Sequence, residues 1–229
     1  MGQLPQDVVR DGGARTVTHQ HYLVTAAQQI TQLVANACTN LLVSAVAKDF
    51  ALYLRGTTDF TEKVRERVRR KLVEMLRRGD KVMLISHGTG CAVAYDVLWQ
   101  LSHDERFRDE FSASKIEVFV TLGSPISDDM VRRRLLGARR KSTERFPTNI
   151  ITWENVSAED DYFCHDKTVA DDLKAMMRER VISSINDYRV YNHTLRYGKS
   201  NPHCSLGYFI HPRVAKIVVD WIEAPDDAI

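Results

Sequence analysis

Residues 82–99 read VMLISHGTGCAVAYDVLW, and this stretch decides the fold. Val82-Met83-Leu84-Ile85 is a short apolar run of the kind that parallel sheets bury on both faces. His87-Gly88-Thr89-Gly90 breaks it with two closely spaced glycines. From Cys91 to His103 the chain is again largely apolar, with only Asp96 charged, and reads as a helix laid against that strand. The local order is strand, sharp turn, helix.

Working outward, two more apolar runs follow the same pattern. Ile116–Thr121 (IEVFVT) and Asn149–Val156 (NIITWENV) read as the second and third strands, the former running into Leu122-Gly123-Ser124-Pro125. A helix is expected over about residues 61–78, with Val64, Val68, Leu72, Met75 and Leu76 on one face and mostly Arg, Lys and Glu on the other. Residues 167–185 read as a further helix, and Val190–Tyr197 as a fourth strand or an extended loop. Pro212 suits the first turn of a last helix that buries Val214, Ile217, Val218, Trp221 and Ile222. Upstream, residues 22–55 hold no Gly or Pro and place Ile30, Leu33, Val34, Ala37 and Leu41 at helical spacing. Strands alternating with helices predict an α/β fold in three α/β/α layers around a mostly parallel sheet. Ligands of such sheets bind beyond the carboxyl ends of the strands, here just after Ile85, Leu122 and Val156.

The chain has 229 residues, of which 44% are hydrophobic, enough for one domain over 1–229. Within it, 1–60 reads as a helical segment and 61–223 as the core. A net charge of +2 gives no whole-molecule attraction to nucleic acid. Cys38, Cys91, Cys164 and Cys204 are dispersed, which reads as free thiols in a reducing, cytoplasmic setting. Neither Cys164-His165-Asp166 nor His203-Cys204 has the spacing of a zinc site, and no phosphate-loop or dinucleotide glycine pattern opens the helix at Cys91, so no metal or cofactor is expected. No Asp, Glu, Lys or Arg lies between Arg15 and Lys48, but Gln28, Gln29, Gln32, Asn36 and Asn40 argue for an amphipathic helix rather than a transmembrane one. That segment, 22–55, is the candidate contact for a homodimer or another protein partner. The basic positions Arg65, Arg67, Arg69, Arg70 and Lys71 read as a solvated face, with an acidic partner as the alternative.

Three stretches together resemble the α/β-hydrolase superfamily of serine esterases and lipases, over about residues 60–223. Ser86-His87-Gly88-Thr89-Gly90 is similar to the nucleophile elbow G-x-S-x-G, with Gly88 at the nucleophile position. TNIITWENV followed by SAEDDYFCHD looks like the strand and loop that carry the acid, which implies Asp161, with Asp160 as the alternative. SNPHCSLGYFIHP, just ahead of the last helix, implies His203 as the general base, with His211 as a cap or packing residue. In that scheme the backbone N–H of Thr89 stabilises an oxyanion at the helix N-terminus. Gly88 departs from the pattern at the reacting atom, because glycine has no hydroxyl. Ser86 belongs to the strand end, Thr89 to the first helical turn, and Cys91 to the underside of the helix, so none is expected to replace it. The front strands and the loop that donates the second oxyanion hydrogen bond are reduced or missing before Val82. The resemblance implies a small acyl-ester ligand and a carboxylic-ester hydrolase that is inactive or weakly active, or else a serine enzyme altered at residue 88. A non-catalytic interaction module is the third reading.

Overall fold

A computed structural model describes residues 48–56, 59–164, 168–196 and 198–225. The chain divides into two units, 1–42 and 43–229, and the first lies outside the described residues. The helix expected at 22–55 is therefore described only from Lys48.

Four strands form one all-parallel sheet in sequential order: β1 (Met83–His87), β2 (Ile116–Leu122), β3 (Ile150–Ala158) and β4 (Ser184–Val190). Parallel neighbours cannot be joined by a hairpin, so each connection must cross over, and helices fill the crossovers. Among the described residues no strand precedes β1, which is an edge of this sheet.

Strand alternation sends successive side chains to opposite faces. Phe119, Trp153 and Ile185 face one side. They pack there with α1 (Lys48–Leu54), α2 (Asp59–Arg77), α3 (Gly90–His103) and the short helices α6 (Val169–Asp172) and α7 (Lys174–Arg178). Val120, Leu122, Val156, Ala158 and Val190 face the other side, against α8 (Ser205–Phe209) and α9 (Pro212–Glu223). Two smaller helices, α4 (Arg108–Phe111) and α5 (Asp129–Arg132), lie in the crossovers that follow α3 and β2. The result is helices on both faces of a parallel sheet.

Four expectations need correction. Residues 167–185 are not one helix: α7 stops at Arg178, Arg180 takes a left-handed φ of 57°, and the Val181 N–H turns back to the Met176 carbonyl. The chain then enters β4 at Ser184, so the fourth strand lies ahead of 190–197, where only the two-residue strands β5 (Leu195–Arg196) and β6 (Lys199–Ser200) form. Arg65 and Arg69 are not solvated, since each is only 5% exposed. The buried stripe of α2 runs through Thr61, Arg65, Arg69 and Leu72, because polar partners on α1 and α3 wait there. Ile222, expected inside, is 67% exposed, while Val214 and Ile217 carry the buried face of α9.

Polar side chains also tie the sheet together. Trp153 Nε1 donates to Thr121 Oγ1 (2.9 Å), which donates to Asn155 Oδ1 (2.8 Å). Asn155 Nδ2 donates in turn to Asp187 Oδ1 (2.8 Å), and Asp187 accepts from the Val169 and Ala170 amides at the start of α6. Buried polar groups persist only when satisfied, and this chain satisfies three strands and a helix start at once.

Candidate functional site

The carboxyl edge of the sheet carries two matched turns. Gly88, after β1, donates its N–H to the Leu122 carbonyl (2.9 Å) at φ 55°. Gly123, after β2, donates to the Val156 carbonyl (2.9 Å) at φ 53°. Positive φ is cheap for glycine alone, so both turns are written in the residue type. Gly123 is also needed for space: a Cβ there would lie 2.7 Å from Asp161 Oδ2 and 3.2 Å from His203 Nδ1.

Asp161 follows β3, and its side chain is wholly buried. Its carboxylate accepts from His203 Nδ1 (2.9 Å to Oδ2), the Tyr208 hydroxyl (2.7 Å) and the Phe163 amide (2.8 Å). Burial pushes this carboxyl up, but the His203 hydrogen bond and charge, with Tyr208 and Phe163, outweigh it and hold it below the usual carboxylate range. Tyr208 is fixed from α8 and accepts the Ala158 amide (2.8 Å), so one phenol joins the end of β3 to the acid.

His203 sits on the loop ahead of α8. Asn192 clamps that loop from both sides, donating to the Pro202 (2.8 Å) and Cys204 (2.9 Å) carbonyls. The Phe163 ring stacks on the imidazole, with centroids 4.5 Å apart. His87 bonds the His203 carbonyl through Nε2 (3.1 Å). Burial, and then the nearby His203 charge, lower the His87 pKa. A carboxylate can only accept, so His203 Nδ1 carries the proton, and in the neutral ring Nε2 presents its lone pair. Nε2 faces Gly88: a Cβ on Gly88 would stand 3.0 Å from it. The His203 side chain is 20% exposed, so solvent reaches it.

Of the residues singled out from the sequence, Gly88, Asp161 and His203 meet at one point. Thr89 is the N-cap of α3, which puts its N–H among the free-ended amides of the helix start. Asp160 is exposed and stands apart from the pair. His211 caps α9 by accepting the Arg213 amide through Nδ1 (3.1 Å). Ser86 donates to the Val120 carbonyl (3.3 Å) and takes no part. Cys91 is fully buried, and burial pushes its thiol up to about 11. Burial likewise pushes Cys164 up to about 12. Both are poor nucleophiles, since the thiolate is the reactive form.

Tyr208, Phe163, Asn192 and His87 were not foreseen as parts of the site. Only His87 carried a local signal, its place inside the glycine turn. The other three act through contacts that no spacing encodes. His165 and Asp166, two of the residues weighed for zinc, lie outside the described residues.

No family model, no curated protein and no solved structure matches this chain. Among the described residues no helix is long and apolar enough to cross a membrane.

Proposed function

We propose that this chain is built on an α/β-hydrolase scaffold of the esterase or lipase kind, with the acid and base kept and the nucleophile replaced by glycine. One observation carries the reading: His203, backed by Asp161, turns its free nitrogen onto Gly88, the position that the elbow pattern reserves for the nucleophile. Asp161 orients the imidazole and stabilises its protonated form. His203 is the general base, and the Thr89 N–H is the oxyanion donor. Gly88 offers no oxygen, so an acyl-enzyme cannot form there. The ligand is a small acyl ester at the carboxyl edge of the sheet.

The interaction-module reading loses support on one side. Two of its basic residues, Arg65 and Arg69, are buried in ion pairs with Asp96 and with Glu62 and Glu66. Within 22–55, Phe50 and Tyr53 are likewise turned into the core.

The test is Gly88→Ser. The added Cβ stands 3.0 Å from His203 Nε2 at a positive φ, so the variant carries strain and a thermal melt first establishes that it folds. The folded variant is expected to label with a fluorophosphonate probe and to hydrolyse short-chain esters through an acyl-enzyme burst. A folded Gly88→Ser protein that neither labels nor hydrolyses any acyl length overturns the reading.

A further inference from the structure

We propose that the native chain is itself a hydrolase of activated acyl esters, in which His203 and Asp161 drive water directly onto the carbonyl without a covalent intermediate. This deepens the reading above and rests on it.

Three observations carry it. First, the base is poised. Nδ1 is committed to Asp161, and among the described residues no donor bonds Nε2. Second, glycine leaves reach in front of that nitrogen. A serine would hold its oxygen there by a covalent bond, and without a side chain a water molecule can approach the same nitrogen from solvent, to which the ring is open. Third, the thiols and hydroxyls packed behind the turn are withdrawn from the reaction. Cys91, Cys164 and Ser124 are buried, and Ser86 is bonded to Val120. The Tyr208 hydroxyl is committed to Asp161.

The substrate class follows from what the site has and lacks. Phe163 stacks on His203, and the half-exposed Tyr162 ring lies 6.2 Å from it, so the base is flanked by aromatic surface fit for a short acyl chain. Water is a weaker nucleophile than an oriented serine alkoxide, so the leaving group must be good: a phenolic ester or a thioester.

The step balances. His203 Nε2 takes one proton from water as the water oxygen bonds the carbonyl carbon. The carbonyl π pair moves onto oxygen beside the Thr89 N–H. The tetrahedral adduct then collapses, the bond to the leaving group breaks, and His203 returns the proton to that group. The phenolic ester and water become acid and phenol, or the thioester and water become acid and thiol, and the protein is unchanged.

The experiment measures p-nitrophenyl acetate hydrolysis by the full chain, in rapid mixing and at steady state, with fluorophosphonate labelling in parallel. The native protein is expected to turn over linearly, without a burst, at a rate of about 10²-fold above buffer. Fluorophosphonate pre-treatment should leave that rate unchanged. His203→Gln should fall to the buffer rate, and Asp161→Asn should lose at least about tenfold. Thermal melts confirm that both variants are folded, and the second serves if the first is not. A burst, or inhibition by fluorophosphonate, overturns the proposal by revealing a covalent nucleophile. A native rate equal to that of His203→Gln overturns it too. If Gly88→Ser still labels in that case, the scaffold reading stands and only the water route falls. If Gly88→Ser is also inert, both fall.

Discussion

Two buried aspartates, one in α3 and one beyond the end of β3, are satisfied by nearly the same set of groups and differ in the nitrogen partner each holds. Asp96 in α3 accepts from the Tyr53 hydroxyl (2.6 Å), the Arg65 guanidinium (2.7 Å) and the Leu136 amide (2.7 Å). Asp161 accepts from the Tyr208 hydroxyl (2.7 Å), the His203 imidazole (2.9 Å) and the Phe163 amide (2.8 Å). Tyrosine, backbone amide and nitrogen base recur; only the base differs. Arginine stays charged, is buried with Asp96, and does not release its proton at ordinary pH. Histidine can release and regain a proton, and its second nitrogen points at an open glycine turn. One arrangement locks helices together, and the other leaves an imidazole nitrogen facing the turn, where the proposed reading needs a base. The difference lies in the residue type at one position and in what its far side meets.

The comparison can be broken most severely at Asp96. Asp96→Ala leaves Arg65 buried without its counterion, and removing one partner of such a pair costs about 3–5 kcal/mol. Urea unfolding should show this as a large drop in midpoint. The ester-hydrolysis rate per folded molecule should be nearly unchanged. A similar rate loss in Asp96→Ala and Asp161→Asn would erase the distinction between the two sites.

Tyr208→Phe is the smaller blow to the other site. It removes a donor to Asp161 and orphans the Ala158 amide, a cost of about 1–3 kcal/mol. Because it releases the Asp161 carboxyl without touching His203, it should also shift the pH–rate profile. Tyr53→Phe, the matching change at Asp96, should destabilise without moving that profile.

The smallest effect is a difference of sign in acid. Asp161 is held below the ordinary carboxylate pKa of about 3.9. Its contribution to stability is complete above that value and is lost as the pH falls through its own lower one. At Asp96, burial pushes the carboxyl up against the pull of Arg65, Tyr53 and Leu136. Its ionisation therefore opposes folding, and that cost fades as the pH falls through its raised value. Thermal melts across the acid range should lose the first slope in Asp161→Asn and the second in Asp96→Asn. Slopes of one sign in both variants would mean that the two carboxylates share one electrostatic setting.

Much of the fold was legible because its signals are local. Apolar runs at Met83, Ile116 and Ile150 each begin a strand, and glycines at 88 and 123 end two of them where φ must be positive. The helix expected at 167–185 failed because Arg180, an ordinary residue in a left-handed conformation, carries no composition signal for a stop. Arg65 and Arg69 were misread for a related reason. A charge pattern along α2 reports exposure only when no partner is buried beneath it, and here Asp96 and Gln100 are. At the site, Asp161 and His203 were expected only through the resemblance to the hydrolase superfamily, which implies an acid after a strand and a histidine before the last helix; order alone offered Asp160 and His211 as well. Tyr208 and Asn192, which hold Asp161 and His203, were not expected.

By itself, then, the sequence determined where the chain must turn and what type of residue each turn requires, because backbone sterics and alternation act over a few residues. Tertiary structure alone decided which charges go inside, and that His203 meets Gly88 with Asp161 behind it. Burying a charge or aiming an imidazole depends on hydrogen-bond partners far away in the chain, and only packing brings those partners within 3 Å.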